Sequence, residues 1–198
     1  MSPAHAACQR AQRHGPEYFS IAMGRSLSIT DTWGHSTASS SSTEPESIAR
    51  FNASKVPVAV LTNQAGVARG LYGIGDVARV HGYIAERLAD YGAHIDLFLY
   101  CPYHPAGVVE AFARSSEDRK PRPGMAMAAQ AMLNLDLAAS WVVGDRPEDL
   151  GLAEAIGASA VYLGPDQIDG RDLADRRRIW RFASLAAAAS FILEHIAA

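Results

Sequence analysis

Continuous apolar runs alternate with helical apolar spacing after residue 47, and this alternation predicts an α/β fold. Residues 56–61 (VPVAVL) form an unbroken apolar run before polar residues, which is typical of a strand buried on both faces of a sheet. Residues 77–88 carry one apolar helical stripe between a capping residue, Asp76, and Gly92. Further strands are expected at 95–100, 141–143 and 160–163, and further helices at 48–52, 124–133, 147–156 and from 184 onward. The order of these elements favours a doubly wound, mostly parallel sheet.

The first 45 residues follow neither pattern. They hold nine serines, no valine and a single leucine, Leu27. A segment so poor in branched aliphatic side chains can barely supply a buried strand, and the serine-rich run 35–43 is typical of flexible coil. We therefore expect an atypical segment at 1–45, disordered or translated from a shifted frame, and a folded domain at 46–198.

Composition narrows the classes of protein. The 198 residues include 18 basic and 21 acidic side chains, and this balance argues against a protein that coats nucleic acid or an anionic membrane. The two cysteines, Cys8 and Cys101, exclude a disulfide scaffold and suit a reducing compartment. No apolar run reaches the ~18 residues of a membrane span. We expect a soluble, cytoplasmic monomer.

Three polar groups follow strand runs or precede helices. They are Thr62-Asn63-Gln64, Arg119-Lys120 and Gly144-Asp145, the last with Asp149 one helical turn further on. Taken singly they are ordinary features: a turn, a solvated loop and a helix cap. Ligands of doubly wound sheets, however, lie beyond the carboxyl ends of the strands. An anion cradle, a cation pair and a carboxylate at that edge together predict a site for phosphate and a metal ion such as Mg²⁺.

Four segments in this order resemble the haloacid-dehalogenase-type (HAD-type) phosphatases, in the branch that contains heptose-bisphosphate and histidinol-phosphate phosphatases. They are TNQAGVARG at 62–70, CPYHP at 101–105, RKPRPGM at 119–125 and VVGDRPEDL at 142–150. The resemblance runs from about residue 47 to 164. It implies a HAD-like Rossmannoid sheet and Mg²⁺-dependent hydrolysis of a small sugar-phosphate monoester through an aspartyl-phosphate, with fixed cations neutralising the transferring group.

The resemblance also implies residue roles. Thr62 would bond the phosphoryl oxygens, Lys120 would neutralise the phosphoryl group and Asp145 would bind Mg²⁺. The implied substrate-binding residues are Thr62, Asn63, Gln64, Ala65, Arg119 and Lys120.

The first departure from the branch concerns zinc. Many members hold a structural zinc ion with a Cys-x-His and a Cys-x-Cys. Here Cys101 is present, but the other three positions read Tyr103, Ser116 and Asp118. One thiolate beside a displaced His104 does not make a four-ligand site, so we expect no zinc and a buried apolar role for Cys101.

The second departure concerns the nucleophile. The family's first strand carries a motif of the form FLDRDG, about as far before the threonine as Phe19 lies before Thr62. The residues here are FSIAMG, so Ile21 stands at the position of the nucleophile and Met23 at that of the general acid. Neither side chain can attack phosphorus, donate a proton or bind Mg²⁺.

A shifted reading frame would account for this departure. FSIAMG can be encoded as TTC TCG ATC GCG ATG GGC, and reading from the third base gives LDRDG. We therefore hypothesise that residues before about Glu46 come from a shifted frame. Three interpretations stay open: a phosphatase whose true N-terminal strand carries both aspartates, a catalytically dead module that binds a phosphate ester, and a non-functional product.

Overall fold

The computed structural model describes residues 19–24, 44–163 and 178–197, with backbone alone at 19–24. Most of the segment predicted at 1–45 lies outside these ranges. The strands are β1 (Phe19–Gly24), β2 (Ala59–Asn63), β3 (Leu97–Cys101), β4 (Ser140–Gly144), β5 (Ser159–Tyr162) and β6 (Ile179–Arg181). The α-helices are α1 (Glu44–Ala53), α2 (Ala65–Ala68), α3 (Ile74–Ala89), α4 (Gly124–Leu133), α5 (Pro147–Ile156) and α6 (Leu185–Ala197), and a 3₁₀ turn spans Glu110–Phe112.

The strands form one six-stranded sheet in the order β3-β2-β1-β4-β5-β6. Neighbours pair in parallel on both sides of β1: β2 with β3, β4 with β5 and β5 with β6. Helices lie between β2 and β3 and between β4 and β5 along the chain, and helices cover both faces of the sheet, which confirms the predicted α/β class. Strand β6 was not predicted, because a three-residue run of sequence IWR carries no periodic signal.

Strand β1 departs from the expected sheet in two ways. The prediction that the N-terminal segment could hardly supply a strand is wrong for Phe19–Gly24, whose local sequence is more apolar than the segment as a whole. The strand also runs antiparallel to both β2 and β4, with Phe19 opposite Thr62 and Gly24 opposite Ser140. The amino end of β1 therefore lies beside the carboxyl end of β2.

Alternating side chains of the central strands build a core on each face of the sheet. Val58, Val60, Trp141 and Val143 are buried in one cluster, which also contains residues of α1, α3 and α6. The intervening Ala59, Leu61 and Val142 are buried in the other, with residues of α4 and α5. Both faces are covered, which explains why the strands read as continuous apolar runs rather than alternating ones.

The helix ends lie where the capping residues predict, except that α3 begins two residues early. Gly157 closes α5 in the left-handed conformation with φ of 70°, as expected of a helix C-terminus. Helix α3 begins at Ile74, before the predicted cap Asp76. Asp76 acts from inside the first turn, where its carboxylate accepts a hydrogen bond of 2.9 Å from the Gly73 N–H.

Within the described ranges, every helix is too short or too polar to cross a lipid bilayer.

Candidate active site

The carboxyl end of β2 carries the first polar cluster. Thr62 is fully buried, and Gln64 is buried directly after the strand. The Gln64 side-chain amide donates to Thr62 Oγ1 at 2.8 Å, while its carbonyl oxygen accepts from the Tyr72 hydroxyl at 2.7 Å. Ala65 begins the short helix α2 and is also buried. The predicted anion cradle thus consists of residues that are fixed by one another.

Lys120 lies at the centre of the site. Its ammonium donates to the Leu61 carbonyl at 2.7 Å and to Asp149 Oδ1 at 3.0 Å, with the side chain almost fully buried. Burial lowers the pKa of Lys120 below its usual value of 10.5, while the carboxylate of Asp149 opposes the change. One cation therefore links the end of β2 to the start of α5, next to Thr62.

The side chain of Asn63 holds the backbone of Lys120. The Asn63 amide donates to the Lys120 carbonyl at 3.1 Å, and the Lys120 N–H donates to the Asn63 side-chain oxygen at 3.0 Å. The Asn63 side chain thus pairs with the backbone of Lys120 through two hydrogen bonds, as the backbone of a neighbouring strand would. The residue that the resemblance places against substrate thus also fixes the position of the cation.

Asp149 both pairs with Lys120 and caps helix α5. Its second oxygen accepts from the Arg146 N–H at 3.1 Å, which caps α5, and the side chain is buried. A Cβ on Gly144 would lie 2.3 Å from Asp149 Oδ2, so only glycine fits at the end of β4. Sequence analysis suggested a cation ligand here, whereas the structure gives Asp149 two protein donors, one of them Lys120.

Asp145 and Arg119 flank this centre. Asp145 follows β4, and its negative charge acts on Lys120, opposing the fall in the pKa of that residue. Burial, and after it the charge of Asp145, raises the pKa of Tyr162. Arg119 is half-buried, and its Nη1 is buried without a hydrogen-bond partner among the described residues. A guanidinium nitrogen in this state suits an anionic ligand.

Ile21 and Met23 do not lie where the motif comparison puts them. In the antiparallel register, Ile21 pairs with Val60 and Val143 in mid-strand, and Met23 pairs with Trp141 near the start of β4. The carboxyl end of β1, which a parallel strand would bring beside Thr62, lies instead at the start of β4, with Gly24 opposite Ser140. Strand direction, which a motif offset does not reveal, is the reason for the difference.

The loop after β3 brings together the residues at the zinc-ligand positions. The buried Cys101 thiol lies 3.9 Å from the Tyr103 carbonyl, and Ser116 bonds Asp118 at 3.2 Å. Burial raises the pKa of the Cys101 thiol. The Arg114 guanidinium stacks over the Tyr103 ring at 4.1 Å. Across the described ranges, no group of three or more His, Cys, Asp or Glu side chains could hold a metal ion.

The comparisons with known proteins agree with this fold. The model of the HAD-hydrolase-like family matches residues 118–188, which contain Arg119, Lys120 and Asp145. A D-glycero-beta-D-manno-heptose-1,7-bisphosphate 7-phosphatase of Yersinia pestis is 40% identical over 131 residues, which are 64% of this chain and 68% of the relative. Its counterpart in Rhodopseudomonas palustris is 35% identical over 122 residues, or 62% and 68%.

Two crystal structures have the same architecture. A HAD-like phosphatase of Mesorhizobium loti matches with a TM-score of 0.66 and 32% identity, covering 77% of this chain and 72% of its own. A D,D-heptose 1,7-bisphosphate phosphatase of B. bronchiseptica, complexed with magnesium and phosphate, matches with a TM-score of 0.67 and 27% identity, covering 78% and 83%.

The fold and the named relatives thus define a phosphoric monoester hydrolase by family resemblance. The chain belongs to the HAD-like hydrolase family and is of the heptose-bisphosphate-phosphatase type.

Proposed function

We propose that the site binds the phosphate group of a small phosphorylated sugar, of which a heptose bisphosphate is the first candidate. The observation that carries the proposal is the buried Lys120 ammonium, which is fixed between Asp149 and the carbonyl of Leu61, the residue before Thr62. A fixed ammonium and a hydroxyl at the carboxyl edge of a sheet match the charge and oxygen acceptors of a phosphoryl group. Arg119 adds a second cation, which contacts the substrate.

Mg²⁺ fits this site through a single protein ligand. Proteins commonly hold Mg²⁺ with one or two carboxylates, and phosphate and water oxygens complete its shell. Asp145 supplies one carboxylate, and its Oδ1 is buried near Lys120. Asp149 is engaged by Lys120 and Arg146. Bound at Asp145, the ion would offset the negative charge of the phosphoryl group.

Strand β1, which stands at the position of the family's first motif, supplies no nucleophile for the phosphate group. The six residues FSIAMG contain no carboxylate, and the antiparallel β1 presents its amino end to Thr62. For the chain as written, we therefore propose binding of a phosphate ester without its hydrolysis. The gene would encode the complete enzyme in the alternative frame, which yields LDRDG.

A phosphatase assay on D-glycero-beta-D-manno-heptose 1,7-bisphosphate with Mg²⁺ tests both parts. The chain as written is compared with one in which the alternative frame replaces the residues before Glu46. We expect phosphate release only from the restored chain, faster by at least about 10³-fold, because loss of a nucleophile commonly costs this much or more. A restored chain with the first aspartate of LDRDG changed to asparagine is the matched control.

Four results would each contradict part of the proposal. Equal turnover by both chains would show that the written chain has its own nucleophile. Failure of the written chain to bind inorganic phosphate would remove the binding role, and insolubility would favour a non-functional product. A gene sequence whose codons for FSIAMG cannot yield LDRDG would exclude the frame hypothesis.

A further inference from the structure

The residue after Lys120 packs against a glycine of helix α5. A Cβ on Gly151 would lie 2.7 Å from the Cβ of Pro121, closer than side chains in folded proteins approach each other. Gly151 lies inside α5, where alanine would form a helix more readily. Helix α5 therefore has a glycine, at a cost to the helix, at the point where it contacts the loop that carries Lys120.

Asn63 holds the same loop from the side of β2. Its side chain makes two hydrogen bonds with the Lys120 backbone, of 3.1 and 3.0 Å. The Lys120 ammonium donates to the carbonyl of Leu61, two residues earlier in the same strand. Both ends of Lys120, its backbone and its ammonium, are thus held by β2.

Helix α5 also contacts both ends of Lys120. The carboxylate of Asp149 accepts from the ammonium at 3.0 Å, and Gly151 lies against Pro121, the next residue of the backbone. The Cβ of Pro121 is fixed to its backbone and cannot rotate aside, so a methyl group on residue 151 would displace the whole residue. Lys120 would move with it, away from the position that Leu61 and Asp149 define for its ammonium.

We infer that Gly151 and Asn63 are positioning residues, which hold the backbone of Lys120 between α5 and β2 and thereby place its ammonium for a phosphoryl group. The inference rests on the proposed phosphate binding. Asn63 acts through Lys120 here, whereas the resemblance implied that it contacts substrate. Gly151 influences anion affinity through the space that it leaves for Pro121.

Calorimetric titration of the full chain with inorganic phosphate, in the presence of Mg²⁺, tests the role of Gly151. Gly151→Ala adds one methyl group to α5 and changes no polar atom. We expect its affinity for phosphate to fall roughly tenfold, as for the loss of one hydrogen bond to a charged group. Gly82→Ala is the matched control, because a Cβ at this position inside α3 would meet nothing within 4 Å. Its affinity should be unchanged.

A double-mutant cycle shows whether the effect passes through Pro121. Pro121→Gly removes the Cβ that the new methyl group would meet. In that background Gly151→Ala should cause no further loss of affinity. An equal loss in both backgrounds would mean that Gly151 acts by another route and would overturn its part in the inference.

Labelling with an amine-reactive reagent, followed by mass spectrometry, reports on the Lys120 ammonium directly. The chain has two lysines, the exposed Lys55 and the buried Lys120, so Lys55 is an internal standard. Without phosphate, Gly151→Ala and Asn63→Ala should each raise the labelling of Lys120 several-fold relative to Lys55. All labelling is carried out well below the unfolding temperature of each variant.

Asn52→Ala is the matched control for Asn63→Ala. It removes the side-chain oxygen that accepts from the His94 N–H at 2.9 Å, before the start of β3 and at the other end of that strand from the site. Both substitutions remove a contact between a side chain and a distant backbone, but only Asn63→Ala should raise the labelling of Lys120.

The outcomes separate the inference from the function on which it rests. An unchanged affinity of Gly151→Ala, or unchanged labelling of Lys120 in both variants, overturns the inference. If Lys120→Met abolishes phosphate binding while Gly151→Ala and Asn63→Ala leave it intact, the proposed function stands and the positioning role fails. If the unsubstituted chain binds no phosphate, both fail together.

Discussion

Strands β1 and β2 lie side by side in the centre of the sheet but present opposite ends to the site. The carboxyl end of β2 leads directly into Thr62, Asn63 and the contacts of Lys120. Strand β1 enters by its amino end, with Phe19 opposite Thr62. An apolar strand in either direction can satisfy the open hydrogen-bonding edges of β2 and β4. Only a parallel strand places its carboxyl end at the site. Folding therefore needs an apolar strand here in either direction, whereas catalysis needs a parallel one.

The largest loss of stability is expected when the buried ion pair between Lys120 and Asp149, which links the end of β2 to α5, is broken. Asp149→Ala leaves the Lys120 ammonium buried without a carboxylate partner and removes the cap of α5. We expect a loss of roughly 3–5 kcal/mol in the free energy of unfolding, measured by chemical denaturation. Asp90→Ala breaks the exposed pair with Arg87 and should change stability by less than about 1 kcal/mol. Equal effects of the two substitutions would show that the buried pair has no special weight.

A proline in β1 tests whether this strand contributes to the stability of the sheet. Ile21 lies opposite Val60 on one side and Val143 on the other, so Ile21→Pro removes a ladder hydrogen bond within a central strand. We expect a loss of about 1–3 kcal/mol by the same measurement. Ile21→Val keeps the N–H and is the control. An unchanged stability of Ile21→Pro would mean that the sheet does not depend on β1.

Lowering the pH should reduce the stability of the folded chain through His81, which packs on β3, and not through β1. His81 on α3 stacks on Phe98 of β3 at 4.6 Å, and burial lowers its pKa to about 4 from 6.5. Between these values the unfolded chain binds a proton that the folded chain does not, so stability falls as the pH falls through that window. From pH 7.5 to 5 we expect a loss of at most about 2 kcal/mol from this group.

His81→Gln should abolish that part of the pH dependence, while His94→Gln, at an exposed histidine, should leave it in place. The sequence FSIAMG contains no ionisable side chain, so β1 adds no term of its own. If His81→Gln leaves the pH dependence unchanged, the buried histidine is not its source.

Most of the fold was predictable because strands buried on both faces leave unbroken apolar runs, as at Val58–Leu61 before Thr62. The direction of β1 was not, because apolar character indicates a strand but not its orientation. Thr62 and Lys120 could be found from their places after a strand and before a helix. The bond between Lys120 and Asp149 joins residues 29 positions apart, and no local pattern encodes it. Tyr72 carried no signal, since its partner Gln64 belongs to another element.

The loop between β3 and α4 is held at each end by a residue at the carboxyl end of β2. At one end the Gln64 N–H donates to the Cys101 carbonyl at 2.8 Å, and at the other Asn63 holds the backbone of Lys120. Both anchors are made by consecutive residues of a single strand end. Side chains between 102 and 118 that make none of these backbone hydrogen bonds can therefore be exchanged without displacing the backbone of Lys120. Under the proposed function, exchange of these side chains is a route by which substrate preference changes over evolution while Thr62 and Lys120 stay constant.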